Sequence, residues 1–83
     1  MNRIFADFAR VMRAGATPDS AEAQAAVEAL QTHITKNFYT CTKEILAGLG
    51  QMYTADERFK ANIESHGAGT ADFAAAAIAI YCR

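Results

Sequence analysis

Gly48-Leu49-Gly50-Gln51-Met52-Tyr53-Thr54-Ala55-Asp56-Glu57-Arg58-Phe59 reads as the end of one helix and the start of the next. Ile45, Leu46, Leu49, Met52 and Tyr53 recur at the three- and four-residue steps of a single helical stripe, so the first half of the stretch closes a helix. Thr54 and Glu57 then have the N-cap to N3 spacing of a capping box, with Asp56 adding negative charge at the positive end of the new helix. A short helix is expected to follow, with Phe59 and Ile63 facing inward. Gly48 and Gly50 lie inside the first helix, each costing about 1 kcal/mol relative to alanine, and therefore predict close approach of another helix or a ligand.

Working outward, Ser65-His66-Gly67 ends the short helix, Gly67 and Gly69 turn the chain, and Thr70 is expected to cap a final helix. On that helix Phe73, Ala77 and Ile80, with Ala74, Ile78 and Tyr81, form a broad apolar face. In the other direction, Tyr39-Thr40-Cys41-Thr42 breaks the pattern with hydroxyl side chains suited to capping. Before it, Ala23, Val27, Leu30, Ile34 and Phe38 mark a helix running to about Asn37, with Asp19 and Glu22 as its expected cap pair. Gln24, Glu28, Gln31, Thr35 and Lys36 read as its solvated face. Ile4, Phe5, Phe8, Val11 and Met12 fall on one stripe of an opening helix, which Gly15 would end. Five helices on short connections predict an all-α fold, with residues 1–83 forming one domain.

Composition limits the core. Of 83 residues 52% are hydrophobic, but 19 are alanine, none is tryptophan, and five Phe and three Tyr supply the bulk. Alanine favours helix yet buries little area, so a groove for a ligand and a partly mobile first helix that orders on binding are expected. Eight basic and nine acidic side chains give a net charge of −1 without a block of either sign, which offers no platform for direct nucleic-acid binding. Cys41 and Cys82 are too few for a disulfide framework and predict reduced thiols in a cytoplasmic protein. The apolar run Phe73 to Tyr81 would reach only about 14 Å as a helix, against roughly 30 Å of hydrocarbon, so no membrane crossing is expected. Asp7 and the regular apolar spacing around it favour a folded helix over a targeting segment.

Two readings of Cys41 stand side by side. At the start of a helix, free N–H groups and the dipole favour a thiolate; equally, cysteine is among the residues most often buried and inert. Neither His33 nor His66 has a Cys, His, Asp or Glu three or four residues away, so no metal is expected. A cysteine hydrolase would need a histidine held by a third group, and no nucleophile motif, phosphate loop or dinucleotide fingerprint is present, so neither an enzyme nor a cofactor is predicted. Phe38, Tyr39, Tyr53, Phe59, Phe73 and Tyr81 should mostly be core, with the amphipathic Tyr39 and Tyr53 as pocket-lining candidates.

Asn37-Phe38-Tyr39-Thr40-Cys41, the Gly48 to Phe59 block, Asn62-Ile63 and the glycine-led, alanine-rich last helix together resemble the TipAS antibiotic-recognition domain of MerR-type transcription regulators. Met12-Arg13-Ala14-Gly15 and Asp19-Ser20 fit the first loop of that family. Leu30 stands where the family often has His or Trp, and Ala68 replaces the proline before Gly69. The family's longer N-terminal portion, its DNA-binding winged helix and its coiled coil have no counterpart in these residues, so an excised effector domain or a stand-alone drug-sequestering protein is expected.

The resemblance implies a globin-like helical fold that recognises thiopeptides and other bulky peptide-like antibiotics. Cys41 corresponds to the cysteine that traps dehydroalanine-bearing thiopeptides as a thioether. Cys41, Phe38, Tyr39, Leu49, Tyr53 and Phe59 are the expected ligand-binding residues. A helical interaction or dimerisation module without a small-molecule ligand is the alternative, and the sequence leaves the oligomeric state open.

Overall fold

The computed structural model describes residues 2–83. It contains α1 (Asn2–Arg13), α2 (Ala21–Asn37), α3 (Lys43–Ala55), α4 (Glu57–Glu64) and α5 (Thr70–Tyr81), and no strand among the described residues. The five-helix expectation holds.

Helix α5 is the centre of the packing and touches each of the other four. Its sequence makes this possible: Ala71, Ala74 and Ala77 are fully buried and let neighbouring backbones approach, while Phe73 and Ile78 fill the gaps between them. The closest approach is to α3, where Gly50 faces Ile78. Gly48 meets nothing within 4 Å, so only one of the two helical glycines marks a close contact. Helix α1 lies against α2 and α5, and Phe8 at its centre is completely buried. Around it Leu30 of α2, Leu46 and Tyr53 of α3 and Ile63 of α4 complete the interior.

The turn after α1 follows the sequence closely. Gly15, at φ +87°, donates its N–H to Met12 O and Ala16 donates to Val11 O, the paired bonds of a Schellman motif. At three other helix starts the capping residue differs from expectation. Ser20, not Asp19, caps α2 by accepting the Ala23 N–H, because the Asp19 carboxylate is taken by the Thr17 hydroxyl. Asp56, not Thr54, caps α4, accepting from the N–H groups of Arg58 and Phe59. Helix α3 continues two residues further than the spacing suggested, so Thr54 is still helical and its hydroxyl donates back to Gln51 O at 3.1 Å. Gly69, at φ +90°, precedes α5 without a side chain to offer, and Glu64 of α4 reaches across to accept the Ala71 N–H at 3.3 Å. Thr70 is fully buried, its hydroxyl donating to Gly67 O.

Gln24 and Gln31 also depart from the solvated role. Gln24 donates through Nε2 to the carbonyls of Pro18 and Ala77 at 2.9 and 3.1 Å. Gln31 donates to Cys41 O and accepts from the Tyr81 hydroxyl, both at 2.9 Å. These amides join α2 to α5 and to the α2–α3 connection, because a long polar side chain beside an alanine-rich helix can reach its backbone carbonyls.

Candidate functional site

Helix α2 ends where Phe38 leaves helical geometry at φ −127° and ψ −66°, its N–H and that of Tyr39 both donating to Ile34 O. The chain then runs through Thr40 to Thr42, the N-cap of α3, whose hydroxyl accepts the Ile45 N–H at 3.2 Å. This short connection carries Phe38 and Tyr39 outward. They are 64% and 47% exposed, and Phe59 at the start of α4 is 42% exposed, so three large aromatic rings meet solvent in a protein with little bulk to spare.

All three open onto one cleft. Ile34, Phe38, Tyr39, Leu49, Met52, Tyr53 and Phe59 line a nearly all-apolar hollow of about 180 Å³ between the α2–α3 connection, α3 and α4. Tyr53 forms its floor: its ring meets Phe5 edge-on at 5.3 Å and Phe59 in a tilted pair at 6.2 Å. Phe38 is backed by the His33 ring at 6.0 Å. Burial, with smaller contributions from Tyr39 and Cys41, pushes the Tyr53 hydroxyl up to about 12 from its ordinary 10.0. It is therefore a neutral, polar-tipped wall at any physiological pH.

Five of the six residues expected from the sequence, Phe38, Tyr39, Leu49, Tyr53 and Phe59, thus share one cleft. Ile34 and Met52 complete it; both lay on predicted helical stripes and read as core. Phe59 and Ile63 were both expected to face inward; Ile63 is fully buried, whereas Phe59, on the same face but one turn nearer the α3–α4 corner, stands at the rim of the cleft.

Cys41 is set apart from this cleft. Its side chain is buried, its N–H donates to Thr35 Oγ1 at 3.1 Å, and its carbonyl accepts from Gln31. It borders a shallow groove of mixed polarity, lined by Gln31, Thr32, Thr35, Lys36, Thr40 and Cys41 itself. The thiol sits 3.8 Å from Thr42 O. Burial raises its pKa above the ordinary 9.0, and the Cys82 thiol adds to the rise. This corrects the thiolate expectation: Cys41 lies one residue before the N-cap, the Thr42 hydroxyl takes the Ile45 N–H, and desolvation sets the direction of the shift.

A wider depression of about 570 Å³ lies between α1 and α2, bordered by Ile4, Glu28, His33 and Lys36. It is shallow and mixed in polarity, without an aromatic wall. Among the described residues no three His, Cys, Asp or Glu side chains are grouped to hold a metal ion, and no helix is long and apolar enough to cross a membrane.

Comparison with known proteins places this arrangement. A transcriptional activator of Bacillus subtilis, mta, is 51% identical over 65 residues, which span 78% of this chain and 25% of that protein. The activator TipA of Streptomyces coelicolor is 39% identical over 66 residues, 80% of this chain and 26% of TipA. The chain thus matches about a quarter of the length of these curated relatives. Among solved structures, Streptomyces lividans TipAS in complex with nosiheptide superposes with a TM-score of 0.88 at 35% identity, covering 96% of this chain and 56% of that one. The fold is accordingly all-helical and globin-like. With the family model for the TipAS antibiotic-recognition domain matching residues 1–81, this chain belongs to the TipAS family.

Proposed function

We propose that the chain binds thiopeptide or similarly bulky peptide-like antibiotics across the aromatic cleft, without catalytic turnover, as the effector-sensing part of a cytoplasmic transcription regulator or as a drug-sequestering protein. The observation that carries this reading is the convergence of Phe38, Tyr39, Tyr53 and Phe59 on one apolar hollow, three of them heavily exposed. Water-facing aromatic rings around an apolar floor suit the flat heteroaromatic rings of a thiopeptide, which stack on them while releasing water. At about 180 Å³ the hollow is smaller than the roughly 300–1,000 Å³ that encloses a drug-sized molecule, so it seats one part of a larger ligand. The nosiheptide complex of TipAS, at 35% identity, supports the same ligand class.

Covalent capture by Cys41 is the finer part of the proposal. The cysteine sulfur adds to the terminal carbon of a dehydroalanine, a C–S bond replaces the π bond, and the thiol proton ends on the neighbouring carbon, with nothing leaving. Because the thiol is buried and shifted toward its neutral form, the Phe38–Thr42 segment must first lift.

Titration with nosiheptide, followed by heteronuclear NMR and intact mass, tests both parts. The expected result is perturbation centred on Phe38, Tyr53 and Phe59 in the parent and in Cys41→Ala, with a mass adduct only in the parent. No perturbation in either chain overturns the binding site, whereas full adduct in Cys41→Ala removes the anchor.

A further inference from the structure

Two free thiols lie at opposite ends of neighbouring helices, Cys41 before α3 and Cys82 at the end of α5, forty-one residues apart in sequence. The fold brings them to the same place. Cys82 donates its thiol to Lys43 O at 3.2 Å, and the Cys41 thiol contacts the adjacent carbonyl, Thr42 O, at 3.8 Å. Two further ties hold the ends of α3 and α5 in this register. Gln31 bridges Cys41 O to the Tyr81 hydroxyl, and the Lys43 ammonium sits 5.6 Å from the Tyr81 ring centre. Both sulfurs belong to the same hydrophobic cluster, Cys41 inside it and Cys82 packed against its edge.

We infer that Cys41 and Cys82 form a reversible intramolecular disulfide when the protein meets a low-molecular-weight disulfide such as oxidised glutathione. The two sulfurs rest on consecutive carbonyls, those of the N-cap and the first residue of α3, and their difference in exposure orders the reaction. Cys82, half-exposed in the last turn, is the entry point. Its thiolate attacks one sulfur of the glutathione disulfide, forming a mixed disulfide and releasing one glutathione thiolate. Cys41 then loses its proton and attacks the Cys82 sulfur, expelling the second glutathione. The protein gives up two electrons and two protons, and two molecules of reduced glutathione carry them away. The new bond would pin the end of α5 to the start of α3 and occupy the Cys41 sulfur. Its formation stands on this packing alone and needs no antibiotic.

The test incubates the folded chain with oxidised glutathione at mildly alkaline pH, quenches with a thiol alkylating agent and maps peptides without reduction. The expected product is a monomer with no alkylated thiol and a Cys41–Cys82 linked peptide, restored to two free thiols by dithiothreitol. Cys82→Ser should keep an alkylatable Cys41 under the same conditions. The same incubation in urea should lower the ratio of internal to mixed disulfide by about tenfold or more, since the unfolded chain no longer holds the sulfurs together. Mixed disulfides without the internal link, linked dimers alone, or an internal link formed equally well in urea would each overturn the inference.

Discussion

A β-carbon placed at Gly50 would lie 3.0 Å from Ile78 Cγ2 and 3.2 Å from Ile78 Cβ, so α3 and α5 touch backbone to side chain at this point. Ile78 is β-branched and fully enclosed, and cannot rotate its Cβ away. Gly50→Ala should therefore destabilise the fold by about 1–2 kcal/mol, the overpacking exceeding the helix propensity gained. Gly48→Ala has open space around it and should stabilise by about 0.5–1 kcal/mol. Urea midpoints of the two variants should move in opposite directions; a shift of the same sign in both would contradict the close contact.

The tight α3–α4 corner depends on one carboxylate. Asp56 Oδ1 accepts two N–H groups, from Arg58 at 3.0 Å and Phe59 at 3.3 Å, while Thr54 bonds within the preceding helix. Asp56→Ala should cost about 1 kcal/mol and Thr54→Ala less than half of that. Because Asp56 also fixes the start of the helix carrying Phe59, its loss should weaken nosiheptide binding more than an equally destabilising change at Ile63.

The helix count and most of the inward stripes were legible from spacing because helical period reports directly on position; of the seven residues lining the cleft, the amphipathic Tyr39 and Tyr53 were legible as pocket candidates, and Phe38, Leu49 and Phe59 came with the family resemblance. What escaped was decided by local competition for capping groups and by contacts between segments. Asp19 could have capped α2 had Thr17 not taken its carboxylate, and Thr54 could have capped α4 had α3 stopped sooner. Gln31 looks solvated in any single-helix projection; only the approach of Cys41 and Tyr81 gives its amide two partners. Cys41 is the sharpest case. Its place beside a helix start is visible in the sequence, whereas its burial in the common core, with Gln31 and Thr35 of α2 holding its backbone, is not, and burial sets the direction of its pKa.

Tyr53 supplies a pH test of the cleft floor. Its hydroxyl is shifted from 10.0 to about 12, chiefly by burial, so the folded state favours the neutral form. A group raised on folding contributes its full stability below the unfolded value and loses it as pH climbs to the folded one. The protein should consequently lose roughly 1–3 kcal/mol between about pH 10 and 12 from this residue alone. Urea unfolding across that window should fall more steeply in the parent than in Tyr53→Phe, and tyrosinate absorbance should lose its last-titrating component in the variant. Identical alkaline slopes would show that Tyr53 is not held neutral by the fold.

Gln31 holds the backbone that carries the Cys41 thiol. Its Nε2 donates to Cys41 O and its Oε1 accepts from Tyr81, so one side chain ties the α2–α3 connection to the end of α5. Gln31→Ala leaves a carbonyl and a hydroxyl without these partners and should cost about 1–2 kcal/mol. Where that free energy falls on local opening of the connection, Cys41 should alkylate about 5–30 times faster with iodoacetamide at constant pH. Tyr81→Phe cuts only the outer half of the bridge and should give a smaller acceleration, because Gln31 can still hold the Cys41 carbonyl. Equal alkylation rates in the parent and Gln31→Ala would mean that the apolar core around Cys41, rather than the amide bridge, keeps the sulfur covered.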